Sequence, residues 1–280
     1  MAQPTNHITI LGASGFIGSQ LAERLRETGA EFLAPARGAE ISGQHLGDVI
    51  YCVGLTSDFR TRPLDTVNAH VCELLQVLRD CDFDSLLYLS STRLYNSHHG
   101  LAKEEDPISV APLSPSDLYN ISKLMGESLA LSSGRKVRVA RISNVYGGDF
   151  TSENFLSSIV GDAVTKGKIV LRTSPDSEKD YIGIDDVTEG LIKIASGGQH
   201  EIYNLASGVN VSNRALVEGL SRITGCEVEF LPDAARVSFP TNSIERLRAE
   251  FGFSPHSVLE DLEGLVNLYK SRLGNRDDQN

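Results

Sequence analysis

Basic residues are in short supply in this sequence. Lys and Arg number 26 against 37 Asp and Glu, a formal net charge of −11. Duplex-binding proteins draw much of their affinity from Lys and Arg set on phosphates. No basic run offers such a surface, so nucleic acid is not an expected partner, and the excess of acid serves solubility. Cysteine is scarce as well. Cys52, Cys72, Cys81 and Cys226 do not show the close spacing of a zinc half-site, so no metal site and no disulfide framework is expected. Reduced thiols in a cytoplasmic protein are the simplest reading. Long apolar runs are missing. None reaches the ~18 residues of a membrane span, and Met1 to His7 has no apolar signal core.

What is present is a globular composition, 40% hydrophobic and 22% charged over 280 residues. A chain of this length buries a core without staples. The first ordered signal is a strand, His7 to Leu11, running into Gly12-Ala13-Ser14-Gly15-Phe16-Ile17-Gly18. Ile17, Leu21 and Leu25 then recur at helical spacing, and Gly29 stops that helix. Strands are predicted at Glu31 to Ala36, Asp48 to Val53, Leu86 to Ser90, Val137 to Ile142 and Ile202 to Leu205. Helices are predicted across Val67 to Leu78 and Leu118 to Leu131. The link Arg37 to Gly47 has no room for a further helix and strand. Residues 93–116 read as a long functional loop, and the tail Asn275 to Asn280 as frayed.

Strands alternating with helices at this spacing predict an α/β fold with a doubly wound, Rossmann-like parallel sheet. The alternation weakens after Tyr146. We therefore expect a dinucleotide-binding domain from residues 1–147 plus 181–206. A smaller mixed α/β substrate lobe is expected from 148–180 plus 207–280.

Gly12, Gly15 and Gly18 sit where a phosphate-binding turn belongs. Glycines permit a tight turn and close backbone approach, and the following helix N-terminus offers free N–H groups to a pyrophosphate. The exit of the second strand commonly selects the cofactor: an acid there bonds the ribose, an Arg accommodates a 2′-phosphate. Here it reads Pro35-Ala36-Arg37, with no acid before Glu40. Arg37 favours NADP over NAD on charge, the alternative being a solvated surface arginine. Tyr119 and Lys123, four apart, share one face of a helix. A neighbouring ammonium lowers a phenol's pKa, and such a pair can exchange a proton with a substrate hydroxyl while a hydride moves. Ser90-Ser91-Thr92 ends a strand, where hydroxyls face the ligand crevice of a parallel sheet.

Together these pieces resemble the extended short-chain dehydrogenase/reductases that act on nucleotide sugars. The matching segments are Gly12 to Gly18, Asp48 to Gly54, Asn68, Leu89 to Tyr95, Tyr119 to Lys123 with Glu127, Arg141 to Gly147, Lys179 to Ile182 with Asp185 to Val187, and Tyr203 to Leu205. The resemblance implies Ser91, Tyr119 and Lys123 as the catalytic trio. It implies cofactor contacts from Gly12, Ser14, Gly15, Phe16, Ile17, Gly18, Arg37, Leu55 and Asn68 besides Tyr119 and Lys123. Ser91, Thr92, Arg93, Asn144, Lys179 and Arg236 would meet the substrate, with Lys179 standing where the family often has an arginine. It also implies a homodimer formed through a helix pair that includes Leu118 to Leu131.

The departures narrow the reaction. Sugar 4,6-dehydratases of this family place an acidic pair after the catalytic hydroxyl, and this chain has Thr92 and Arg93 there. Asn96 replaces a usual glycine, and His98 and His99 read as loop residues rather than metal ligands. Two reactions fit. A reductase would use NADPH to reduce a nucleotide-linked keto sugar, with Tyr119 protonating the oxygen. An epimerase would oxidise and re-reduce a ring carbon with retained NAD. A redox sensor or scaffold is opposed by the intact trio of Ser91, Tyr119 and Lys123.

Overall fold

The computed structural model describes residues 7–56, 59–114, 116–150 and 154–277. Strand β1 (Ile8–Leu11) leads through the glycine turn into α1 (Phe16–Glu27), followed by β2 (Phe32–Leu33) and β3 (Asp48–Tyr51). Next come α2 (Pro63–Val67), a π-helical turn (Asn68–Cys72), α3 (Glu73–Asp80) and β4 (Ser85–Ser91). After the short β5 (Leu101–Ala102), α4 (Asp117–Leu131) runs into β6 (Val137–Ile142).

The second half contains β7 (Asn144–Tyr146), α5 (Phe155–Thr165), β8 (Lys168–Leu171), β9 (Glu178–Gly183), α6 (Ile184–Gly197) and β10 (Ile202–Leu205). It closes with β11 (Asn210–Ser212), α7 (Asn213–Thr224), β12 (Glu227–Phe230), β13 (Thr241–Asn242), α8 (Glu245–Phe251) and α9 (Val258–Asp277).

Six strands form one parallel sheet in the order β2-β1-β3-β4-β6-β10. Its central strands are apolar because both faces are covered. On one face α1 and α6 bury Leu21, Leu25, Val187 and Leu191 against Ile10 and Ile50. On the other, Leu74 and Ala130 of α3 and α4 pack on Val49, Tyr51 and Val139. The chain leaves β1 for β2 on one side and then returns to place β3 on the other. The carboxyl ends of β1 and β3 therefore diverge, and that crevice is where ligands bind in open α/β sheets.

The link from β2 to β3 carries no helix, although a parallel crossover usually does. Instead Leu46, fully buried, plugs the sheet face, which at full burial is worth about 1.5–3 kcal/mol. The Thr9 hydroxyl donates to its carbonyl (2.6 Å), and its own N–H donates to Asp82 O (2.9 Å).

The smaller lobe joins a three-stranded sheet, β11-β9-β7, and the parallel pair β12-β8 to α5, α7 and α9, around Leu156, Ile169, Leu216 and Leu262. Residues near α8 pack elsewhere: Ile244, Leu247 and Phe253 join the core beneath α6 and β10. The chain thus recrosses from the lobe to the sheet domain after residue 207.

Three predicted elements change. The strand expected at Glu31 to Ala36 is two residues long, an edge strand ended ahead of Pro35, which has no N–H to give to a ladder. The helix expected across Val67 to Leu78 is divided by the π turn. The tail expected to fray from Asn275 is helical through Asp277, while residues 278–280, like Met1 to Asn6 at the other end, lie outside the described residues.

Candidate functional site

The glycine turn is shaped by contact. Gly12 holds φ +88°, and a Cβ there would lie 2.9 Å from the Cys52 carbonyl carbon. A Cβ on Gly18 would lie 2.3 Å from Gly12 O, so only glycine lets α1 approach its own turn. Ser14 and Gly15 are exposed, and a Cβ on Gly15 would make only ordinary contact, 3.5 Å from Gly12 O. Gly15 caps α1 in extended conformation without a side-chain bond, and the first turn holds no acid. The N–H groups of Phe16, Ile17 and Gly18 therefore lack intrahelical partners, at the positive end of the helix dipole. This cradle suits a pyrophosphate.

Across the crevice, Gly54 and Leu55 leave β3. A Cβ on Gly54 would lie 3.4 Å from the Lys123 Nζ and 3.2 Å from His70 Nε2. Lys123 thus borders the same crevice as the glycine turn. It is 5% exposed, its Nζ donates to Leu89 O (2.8 Å), and burial lowers its pKa to about 7.

Tyr119, on the first turn of α4, is also 5% exposed. The side chains of Ser91 and Thr56 lie near enough to its hydroxyl to lower its pKa. Its ring lies 5.3 Å from Phe59 and edge-on to His70 at 5.4 Å, and the Arg93 guanidinium stands 5.8 Å from its centre. Burial holds the phenol above its ordinary pKa; Ser91, Arg93 and Thr56 pull the other way. The ammonium expected to tune Tyr119, that of Lys123, is instead engaged by Leu89, and the cation beside the phenol is Arg93.

Successive strand residues face opposite sides of a sheet. Accordingly Ser91 meets Tyr119, while the Ser90 hydroxyl is buried without a partner. Ser91 also accepts the Arg93 N–H (3.2 Å), capping the short 3₁₀ turn Thr92–Tyr95 that presents Thr92 and Arg93.

His70, fully buried on the π turn, was not singled out by its sequence. The Leu55 N–H donates to its Nε2 (3.2 Å), and its Nδ1 lies 2.8 Å from Ser122 Oγ. Ser122 spends its proton on Tyr119 O (2.8 Å), so Nδ1 carries the ring proton. Burial, with Lys123 nearby, pushes the His70 pKa down to about 2. A neutral imidazole therefore ties the β3 exit loop to the helix that carries Tyr119. Thr56 and Ser122 were missed for a similar reason: single hydroxyls carry no sequence signal. A lone histidine within an apolar helix pattern was the available clue to His70.

Glu127 and Arg141 fasten α4 to β6 with paired bonds of 3.0 and 2.7 Å, and Arg141 continues to Tyr95 Oη (2.6 Å). Tyr95 in turn donates to Asn204 on β10 (2.9 Å).

The remaining sequence-selected residues are more scattered. Arg37 is exposed, four residues beyond β2, beside a turn at Gly38. Asn68 opens the π turn with its amide on Glu73 (2.8 Å). Asn144 donates to Asp180 O (2.7 Å) on the neighbouring strand. Lys179 stands over the rings of Phe155 (5.5 Å) and Phe239 (5.7 Å), and burial, with a smaller contribution from the charge of Arg93, lowers its pKa. Arg236 is exposed next to the Val237–Glu178 contact.

Compared with known proteins, residues 8–206 match the model of the NAD dependent epimerase/dehydratase family. The chain belongs to that family. It is 27% identical over 304 residues to GDP-6-deoxy-D-mannose reductase of Pseudomonas aeruginosa, covering 96% of this chain and 99% of the relative. It is 26% identical over 308 residues to a dTDP-glucose 4,6-dehydratase of Streptomyces griseus, covering 92% of each. Among solved structures, RMD from Pseudomonas aeruginosa complexed with NADPH superposes with a TM-score of 0.79 at 23% identity, over 95% of this chain and 99% of that one.

As a member of this family the protein is an enzyme served by a nicotinamide dinucleotide, and the glycine cradle with Lys123 fits that group. A cavity of about 840 Å³ lies beside α1, between α6 and α9; it shares Ser14, Gly15 and Phe16 with the glycine turn and does not include Tyr119. Glu23, Asp185, Glu260 and Asp261 line it. Ser91, Tyr119 and Lys123 do not line it, so the candidate chemistry belongs to the Tyr119 crevice. No helix among the described residues is long and apolar enough to cross a membrane.

Proposed function

We propose that this enzyme reduces a ketone on a nucleotide-linked sugar, with NADPH as cofactor. The observation that carries this reading is the Tyr119 phenol, buried in the crevice with Ser91 and Thr56 beside its hydroxyl. Burial holds its pKa above the ordinary value, which favours the protonated form. A protonated phenol is poised to give its proton to a carbonyl oxygen that becomes an alcohol. Bound NADPH supplies the hydride. Ser91 orients the substrate oxygen, Tyr119 protonates it, and Lys123 holds the cofactor's ribose side of the crevice. No carboxylate follows Ser91, where a dehydratase would need one; Thr92 and Arg93 stand there. Arg37 supports NADPH as an exposed cation beyond β2, and Asn144, Lys179 and Arg236 are assigned to the diphosphate side. The exposed apolar side chains of Leu75 on α3 and Met125 on α4 suit a helix pair between two copies of the chain.

An epimerase is the second reading, because the same trio serves a reversible oxidation and because the matching family includes epimerases. The two differ in cofactor bookkeeping. Incubation of the protein with NADPH and a panel of nucleotide-linked 4-keto sugars should consume one NADPH for each alcohol formed. Turnover of a nucleotide sugar with no net change in a tightly retained NAD would replace the reductase by the epimerase.

A further inference from the structure

We propose that Arg93 is the receptor for a carboxylate on the sugar itself, so that the substrate is an acidic nucleotide sugar. This rests on the nucleotide-sugar reading above and adds the class of sugar.

Among the described residues, seven arginines of this acidic chain have a carboxylate within ion-pair distance, and Arg93 is not among them. Arg62 pairs with Asp65, Arg79 with Asp80, Arg141 with Glu127, Arg214 with Asp176, and Arg246 with Glu104 and Glu105. Arg93 has no ion-pair partner among the described residues, and its Nε is buried without any hydrogen-bond partner. The group is desolvated at the reacting end of the site and left unmatched, which costs free energy unless a ligand supplies the match.

Its chemistry selects the ligand. Phe59 (5.3 Å) and Tyr119 (5.8 Å) stand against the guanidinium as cation–π partners. A planar donor fork of this kind matches a carboxylate in two-point contact. Burial lowers the pKa of Arg93, and the field of Arg60, itself over Phe59 at 4.5 Å, adds to it, while Tyr119 and the more distant carboxylate of Asp117 act the other way.

Position separates this anion from the diphosphate. Arg93 follows Ser91 by two residues, its guanidinium stands 5.8 Å from the centre of the Tyr119 ring, and the Ser91 side chain lies beside the Tyr119 hydroxyl. A group reaching Arg93 is therefore only a few bonds from the oxygen that Tyr119 protonates. Lys179, on β9 between Phe155 and Phe239, belongs to a different wall and serves the diphosphate. Two desolvated cations that repel one another call for two anionic groups, one at each end of the sugar.

The test is equilibrium binding to the cofactor-loaded protein of matched pairs: UDP-glucuronate against UDP-glucose, and GDP-mannuronate against GDP-mannose. The acidic member of at least one pair should bind about tenfold or more tightly, as expected for a charge-assisted contact. That ratio should fall to near one in Arg93→Met and recover in part in Arg93→Lys, with thermal unfolding confirming that both variants are folded. A ratio near one in wild type overturns the proposal and leaves the nucleotide-sugar reading intact. So does an equal loss for both members in Arg93→Met, which would assign Arg93 to the diphosphate. Failure of all four to bind at millimolar concentration overturns the nucleotide-sugar reading and the carboxylate with it.

Discussion

The ammonium of Lys123 donates to the carbonyl of Leu89 at 2.8 Å, at the end of the strand that presents Ser91. The contact leaves a cation in a buried place without a carboxylate in contact, and burial brings its pKa to about 7. An unfolded lysine titrates near 10.4. Between these values the unfolded chain binds the extra proton, so wild-type stability rises as pH increases from about 7 toward 10. Lys123→Met removes the buried charge. The variant should be the more stable protein at pH 6 in the absence of cofactor, with its advantage shrinking steadily above pH 7. Chemical denaturation of both proteins at pH 6, 7.5 and 9 measures this. An advantage that grows with pH would contradict the burial argument.

Tyr119→Phe retains the ring packed against Phe59 and His70 and removes only the hydroxyl that meets Ser91 and Thr56. Turnover should fall by about 10²–10⁴-fold, the range of a general acid. Cofactor affinity should stay within a few-fold of wild type. Pre-steady-state reduction and a fluorescence titration of NADPH read the two quantities separately; undiminished turnover would remove Tyr119 from the proton path.

His70→Leu should cost about 1–3 kcal/mol at pH 8, because Leu55 N–H and Ser122 lose their buried partner. The pH dependence has a definite sign. In the folded protein His70 has a pKa of about 2, whereas an unfolded histidine titrates near 6.5. Below pH 6.5 the unfolded wild type binds a proton that the folded protein does not, so wild type loses about 1.4 kcal/mol per pH unit from this group. The variant lacks that loss. The gap between the two should be full at pH 8 and close, or reverse, near pH 5. A gap independent of pH would show that His70 takes up its proton as readily in the folded protein as in the unfolded chain.

Arg37→Ala tests the cofactor choice. Arg37 is exposed and forms no ion pair among the described residues, so removing it should leave folding unchanged. If it meets a 2′-phosphate, NADP(H) affinity falls by about 10–150-fold and NAD(H) affinity does not change. Isothermal titration of both cofactors into both proteins decides it. Tighter binding of NAD than NADP by wild type would move the assignment to NAD and favour the epimerase.

Much of the sheet was legible because its central strands are apolar on both faces. The predicted Val137 to Ile142 and Ile202 to Leu205 match β6 and β10, and the predicted Leu118 to Leu131 differs from α4 by one residue at its start. Helical spacing failed at residues 67–80. Apolar residues recur there as in one helix, and a π turn adds a residue without breaking the apolar stripe. His70 sits on that turn, so the same failure concealed the bond between the β3 loop and α4. Tyr119 was singled out as a residue type at a spacing from Lys123. Its surroundings were not, because Phe59, Thr56, His70 and Arg93 come from segments far apart in sequence and meet only through the fold. The smaller lobe was illegible for a related reason. Its strands pair across long separations, as β8 does with β12, and short local windows carry no trace of that.

The helix-free link between β2 and β3 bears on how long a dinucleotide remains on the protein. The adenosine end of such a cofactor lies beyond the second strand in this fold. Here that strand has two ladder residues, and Leu33, Ala34, Ala36 and Arg37 after it are exposed. Little packing backs the seat, so small local openings there cost little free energy. Differences in affinity are expressed mainly in the rate of departure, and a thinly walled seat gives a short residence time. On the proposed reading Gly12 to Gly18 grip the pyrophosphate, and this edge would set how soon the dinucleotide is exchanged for a fresh one. Such kinetics suit an enzyme that must reload after every turnover.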